Sequence, residues 1–306
     1  MNALFRKLDH IYATSPIISF DECSRIVMLS DCHRGQGNGA DNFLPNSTIF
    51  QGAMEYYYKQ GYTYIELGDG DELWENRCFH TILRTHSNVF RLMNRLYQEG
   101  RLYMLYGNHD MVKKKGTFPG SSDIDYYCDT PDREPLLFHR SCTSGGIRCT
   151  ESLVLENRNT GQRLFLIHGH QGSLLNDELW PLGRFLVRYV WRPLEVIGFH
   201  APTGGGRSVK LTEKIEKELC AYAENRHRIL IAGHTHRPAF PAPTDDSCPY
   251  FNTGSCVHPY CIIGLEIVKE QISLVRWSVT AAPDRSLTIS REILNGPADL
   301  AGYMLS

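Results

Sequence analysis

The residues that can do chemistry in this chain fall into five short clusters. They are Asp31-Cys32-His33, Asp69-Gly70-Asp71-Glu72, Asn108-His109-Asp110, His168-Gly169-His170 and His234-Thr235-His236. Carboxylate, amide and imidazole groups dominate, and no thiolate is needed. That mix suits manganese, iron or zinc and argues against calcium, which takes oxygen ligands only. Asp31, His33, Asp69, Asn108, His168, His234 and His236 make seven candidate ligands. Seven are too many for one tetrahedral ion and suit two ions sharing a carboxylate, for which Asp69 is the candidate bridge. Two ions about 3.5–4 Å apart activate water and neutralise phosphoryl charge during in-line displacement. The chemistry expected is hydrolysis of a phosphate ester or anhydride. The cofactors expected are two divalent transition-metal ions, manganese first, with iron or zinc compatible.

Ligands from distant parts of a chain converge when each sits where a strand ends. Each cluster follows a short apolar run, at residues 25–30, 62–67, 102–106, 163–168 and 229–232. Such runs, apolar without alternation, are what strands buried on both faces require. Helical patterns from Asn46 or Ser47 to Gly61, and over 79–98 up to Gly100, separate the first three. The strand–helix–strand alternation gives an α/β fold with at least partly parallel pairing. Residues 1–22 read as a lead-in with a short helix at 3–13. The second half is richer in strands, at 147–155 and 163–168 around the Asn159-Thr160-Gly161 turn, then at 250–253, 261–267 and 271–279.

Residues 174–227, between His170 and His234, read as a lid-like helical insert within a single domain spanning 1–306. One helix lies between Pro181 and Pro193, and a second covers 211–226. Arg184, Arg188 and Arg192 recur every fourth residue, so on a helix they form one basic stripe. The bland reading of that stripe is a solvated face. The sharper one is a grip on phosphate oxygens, which the planar guanidinium binds in a bidentate way. Arg34, beside His33, is a further candidate substrate contact, with a surface charge as the alternative reading. Cys32 should point away from its two neighbours, because side chains alternate along an extended chain.

With 32 basic and 34 acidic residues the net charge of the 306-residue chain is −2, which provides no field for nucleic acid. No run approaches the ~20 apolar residues of a membrane span, and no export signal is visible. The chain reads as cytoplasmic, with any membrane contact peripheral and made through the insert. Ten cysteines without a Cys-x-x-Cys pair read as reduced, buried small hydrophobes.

In this order and setting the clusters resemble the calcineurin-like metallophosphoesterase superfamily, from about residue 26 to residue 251. The resemblance implies a four-layer α/β/β/α sandwich. It assigns Asp31, His33, Asp69 and His236 to one metal, and Asp69, Asn108, His168 and His234 to the other. It implies that a metal-activated hydroxide attacks phosphorus while His109 assists the leaving group. A carboxylate three residues past the bridging Asp, here Glu72, would orient that histidine, with Asp71 the competitor for the role. Gly68-Asp69-Gly70-Asp71-Glu72-Leu73-Trp74-Glu75, with the later His234-Thr235-His236-Arg237-Pro238, resembles the UDP-2,3-diacylglucosamine pyrophosphohydrolases. Those enzymes carry Arg and Asp where this chain has His109 and His170. The substrate expected is a phosphorylated small molecule or a lipid-linked diphosphate. A nucleotide or cyclic-nucleotide phosphodiesterase is the alternative, and a non-catalytic scaffold of the same fold is a further one.

Overall fold

The structure is a computed structural model and describes residues 3–76, 78–115, 147–171, 209–243, 248–282 and 284–303. Arg184, Arg188, Arg192 and the first helix of the insert lie outside the described residues.

The apolar runs become strands with both faces covered. In β2 (Arg25–Leu29), Ile26 and Met28 face one way while Val27 and Leu29 face the other. Each set enters a different core. β3 (Thr63–Leu67) and β4 (Leu102–Leu105) lie parallel beside β2. β5 (Cys149–Thr150) extends this sheet, and β10 (Cys261–Val268), β11 (Gln271–Ala281) and β12 (Leu287–Asp299) complete it on the far side. The seven-stranded order is β12-β11-β10-β2-β3-β4-β5. A second sheet is built from β1 (Ile17–Phe20), β6 (Ser152–Asn157), β7 (Arg163–Ile167), β8 (Ile229–Ala232) and β9 (Tyr250–Asn252), in the order β1-β6-β7-β8-β9.

Ile26, Met28, Ile65 and Leu67 from the first sheet pack against Leu153, Leu164, Leu166 and Ile231 from the second. On the outer side of the first sheet, α2 (Ser47–Lys59) and α4 (Ser87–Gln98) bury Phe50, Met54, Phe90 and Met93. On the outer side of the second, α1 (Ala3–Thr14) and a helix at Val209–Asn225 bury Leu8, Ile11, Leu219 and Tyr222. The result is the expected four-layer α/β/β/α sandwich.

Several expectations need correction. The helical pattern over 79–98 is two helices, α3 (Phe79–Thr85) and α4, broken at His86. His86 leaves helical geometry and pairs with Asp41 at 2.9 Å, tying the glycine-rich loop after Arg34 to the helical layer. The run 147–155 is not one strand: the chain changes sheets at Glu151, between β5 and β6. The lead-in contributes β1, and β12 follows β11 in a long hairpin. Cys220 and Cys248, 28 residues apart with Cα atoms 5.7 Å apart, form a disulfide rather than standing reduced. Cys32, Cys149 and Cys256 are buried thiols as expected, whereas Cys23 and Cys78 are exposed.

Candidate metal centre

All five clusters leave strands at one edge of the sandwich. β2, β3 and β4 run parallel, so their carboxyl ends deliver Asp31, Asp69 and Asn108 side by side. β7 and β8 are parallel in the facing sheet and deliver His168 and His234. Pairing continues past the strand ends. Asp31 N donates to Gly68 O, His33 N to Asp69 O and Arg34 N to Gly70 O, at 3.1, 2.9 and 3.1 Å. This holds the first two ligand loops in register.

The candidate ligand positions are conformationally unusual. Asp31, His33, Asp69, His234 and His236 all have φ between 48° and 69°. These are five of the ten described non-glycine residues with positive φ, a conformation that β-carbons disfavour. Strain of this kind persists where surrounding contacts over-determine it, and it gathers at functional sites. Gly107 shows how tight the turns are, since a Cβ there would run into Asp69 Oδ1 and the Asp69 backbone.

The two oxygens of each central carboxylate divide their tasks. Asp31 Oδ2 accepts from the Ser30 hydroxyl and from His234 N at 2.8 Å, while Oδ1 faces His236 Nε2 at 3.1 Å. Asp69 Oδ1 accepts from His109 N at 2.8 Å. Asp69 Oδ2 lies 3.1 Å from His168 Nε2 and 3.8 Å from His33 Nε2, between the two groups of imidazoles. His168 Nδ1 donates to Leu67 O at 2.8 Å, which leaves Nε2 as the lone-pair nitrogen facing the carboxylate. His33 Nε2 and His236 Nε2 face one another at 3.3 Å.

At this edge three triads gather their donor atoms within 4.8 Å: Asp31 with His33 and His236, Asp69 with His168 and His234, and Asp69 with His33 and His109. Asp31 Oδ1, His168 Nε2 and both amide atoms of Asn108 are buried without a hydrogen bond. Buried polar atoms are rarely left in that condition, and a cation would satisfy the lone pairs of Asp31 Oδ1, His168 Nε2 and Asn108 Oδ1 together. The electrostatics agree. Burial alone would raise the Asp31 and Asp69 carboxyls, but the facing imidazoles outweigh it and hold both well below the usual range. Burial opposes the rise of the His33 and His168 imidazoles, which the carboxylates nonetheless impose. The cluster calls for positive charge, and the donor set of oxygen and imidazole nitrogen fits divalent transition metals.

His109 sits at the mouth, its side chain 20% exposed. Its ring stacks on Trp74 at 4.6 Å and 22°, and its Nδ1 lies 2.9 Å from Glu72 Oε1. Between Glu72 and Asp71, it is Glu72 that reaches the ring. Burial would raise the Glu72 carboxyl, but His109 and His33 beside it hold it down at about 2. Asp71 turns the other way, to Arg34 Nε at 2.7 Å and Lys113 Nζ at 2.7 Å. His170 is buried beside His168, with ring centroids 5.4 Å apart.

Arg34 is not placed to touch substrate. It is fully buried, and its guanidinium donates to both oxygens of Glu66 at 2.8 and 2.9 Å as well as to Asp71. Lys113, also fully buried, lies 2.6 Å from Asp110 Oδ2. Asp110 in turn accepts from Gly107 N and Gly70 N at 2.6 and 3.1 Å. This chain of buried charges ties three ligand loops together beneath the site. Sequence reasoning missed it because its members are far apart in the chain. The available signal was a lysine in the Met111-Val112-Lys113 stretch and two acids beside ligand positions. Replacing Arg34 with Met leaves Glu66 and Asp71 without their buried guanidinium and should cost about 3–5 kcal/mol in urea unfolding. Unchanged stability with a raised KM would instead return Arg34 to the substrate.

A comparison with curated proteins finds no match. Among solved structures, the chain is similar to Vps29 of Chaetomium thermophilum, with 11% identity over 89% of this chain and 97% of that one, at a TM-score of 0.38. It is also similar to a dimetal phosphatase of Danio rerio, with 10% identity over 83% of this chain and 96% of that one, at a TM-score of 0.39. At these values neither likeness bears on activity or substrate. The model of the calcineurin-like phosphoesterase family matches residues 24–238, well over half of the chain. That match covers every ligand candidate and both sheets' ligand-bearing strands, and the chain belongs to the calcineurin-like phosphoesterase family.

Proposed function

We propose that the protein is a dinuclear metal-dependent hydrolase of phosphate esters or anhydrides. The observation that carries this reading is the position of Asp69 Oδ2 between His168 Nε2 and His33 Nε2, where one carboxylate oxygen serves both groups of imidazoles. Asp31, His33, Asp69 and His236 would hold one ion, and Asp69, Asn108, His168 and His234 the other. When bound, the two ions supply Lewis acidity that activates water and neutralises charge on phosphorus. The chain's own contribution is then threefold. Asp69 and the backbone of its turn fix the spacing of the two groups. Ser30 and His234 N hold Asp31 so that only one of its oxygens faces the site. His109, oriented through Nδ1 by Glu72 and backed by Trp74, presents Nε2 at the open side, where it donates a proton to the departing oxygen.

The substrate class we favour is a phosphorylated small molecule or a lipid-linked diphosphate, with Arg184, Arg188 and Arg192 as candidate phosphate contacts. Manganese is the ion we expect first. The test is an activity screen of the metal-reconstituted full chain over an aryl phosphate, an aryl phosphodiester, a cyclic nucleotide and a nucleoside-diphosphate lipid. Chelator-sensitive hydrolysis of at least one supports the reading, and the relative kcat/KM ranks the classes. A chain that binds two metals and hydrolyses none of these is a scaffold.

A further inference from the structure

We propose that Glu72 is a shared positioning residue: one carboxylate sets both the catalytic ring of His109 and the metal-ligating ring of His33. The inference deepens the dinuclear hydrolase reading and rests on it. Glu72 Oε2 lies 3.0 Å from His33 Nδ1 and 2.7 Å from His109 Nδ1, and Oε1 lies 2.9 Å from His109 Nδ1. The two rings meet edge to face, with centroids 4.6 Å apart and an interplanar angle of 84°, so the carboxylate closes a triangle with them. Glu72 is itself fixed. It is 2% exposed, its N donates to Arg34 O at 3.0 Å, and its carbonyl accepts from Asn76 Nδ2 at 2.9 Å.

The chemistry of each contact differs. A carboxylate accepting Nδ1–H from His33 fixes the tautomer whose Nε2 lone pair faces Asp31, Asp69 and His236, and it strengthens that nitrogen as a ligand. The same carboxylate accepting Nδ1–H from His109 leaves the outer nitrogen of that ring toward the mouth. Trp74 stacks on the His109 ring from the other side. The geometry thus separates three variants. Glu72 acts on metal and catalysis, Trp74 on catalysis through the His109 ring on which it stacks, and His109 on catalysis as that ring itself.

The experiment measures Mn²⁺ and Zn²⁺ affinity of the full chain by competition with a chromogenic chelator, alongside kcat and KM on an aryl phosphate at saturating metal. Glu72→Gln should weaken one of the two sites about 10–100-fold while leaving the other unchanged. It should also keep kcat below wild type when both sites are filled, with KM little changed. Glu72→Asp keeps the charge but cannot span both rings, and it should lose at least one of the two properties. Trp74→Ala should lower kcat without moving either affinity, and Trp74→Phe should restore much of the loss by keeping a stacking surface. Wild-type affinity at both sites in Glu72→Gln would overturn the inference. So would full recovery of kcat in Glu72→Gln at saturating metal, because Glu72 would then act through His33 alone. A wild-type chain that binds neither metal would instead overturn the hydrolase reading, and the inference with it. Thermal unfolding of each variant separates loss of fold from loss of ligand geometry.

Discussion

Asp69→Asn should cost more activity than any other single change in this protein, at least ~10³-fold in kcat/KM, or about 4 kcal/mol of transition-state stabilisation. The reason lies in how the two oxygens of Asp69 are used. Oδ1 accepts from His109 N at 2.8 Å, and an asparagine carbonyl can keep that bond. The amide NH₂ is then directed to the Oδ2 position, 3.1 Å from His168 Nε2 and 3.8 Å from His33 Nε2. An NH₂ group has no lone pair to offer a metal, and the negative charge shared by the two groups of imidazoles is gone. Both sites should weaken together, while the loop keeps its shape. Elemental analysis of the purified variant checks this: loss of metal from both sites, with a wild-type circular dichroism spectrum, is the expected result. Loss of one ion with the other fully retained would show that Asp69 belongs to one site only.

His109→Ala comes second, with an expected fall in kcat of roughly 10²–10⁴-fold. Here metal content should stay intact, because neither proposed ligand set includes the His109 ring, which lies against His33 at 4.6 Å between centroids, and its backbone N–H does not depend on the side chain. That N–H still reaches Asp69 Oδ1 in the alanine variant. What is lost is an imidazole held on two sides, by Glu72 at Nδ1 and by the Trp74 face at 4.6 Å. A ring acting as general acid matters most when the leaving oxygen is basic. The loss should therefore grow across a series of aryl phosphates as the leaving phenol becomes a weaker acid. A uniform loss across the series would assign His109 to charge stabilisation at phosphorus. Metal loss in step with activity would make it a ligand.

The strands that carry the candidate ligands were legible because burial on both faces forces uninterrupted apolar runs. Ile26, Val27, Met28 and Leu29 are an example, alternating between two cores yet all buried. The same logic hid β12. Its apolar residues Leu287, Ile289 and Ile293 are interrupted by Thr288, Ser290, Arg291 and Glu292, and no residue of the strand is fully buried, so no uninterrupted apolar run marks it. It also blurred the switch at Glu151, where β5 and β6 read as one run because both sheets demand similar side chains. Glu72 was suggested as a partner for His109 by the family resemblance, with Asp71 left open beside it, and its second contact with His33 depends on how two loops meet. Arg34 was misread because an arginine beside a ligand histidine looks like a phosphate contact. Its partners Glu66 and Asp71 are 32 and 37 residues away, and only the parallel pairing of β2 with β3 brings them under it. The Cys220–Cys248 bond, 28 residues apart, is likewise a property of the fold and not of local spacing.

The most direct test of the account is a stoichiometric metal titration of the chelator-stripped full chain, with hydrolysis of an aryl phosphate or phosphodiester followed at each step. The proposed arrangement of six candidate ligands around the shared Asp69 carboxylate predicts that activity stays low through the first equivalent and rises to its plateau with the second. Full activity at a single bound ion would contradict it.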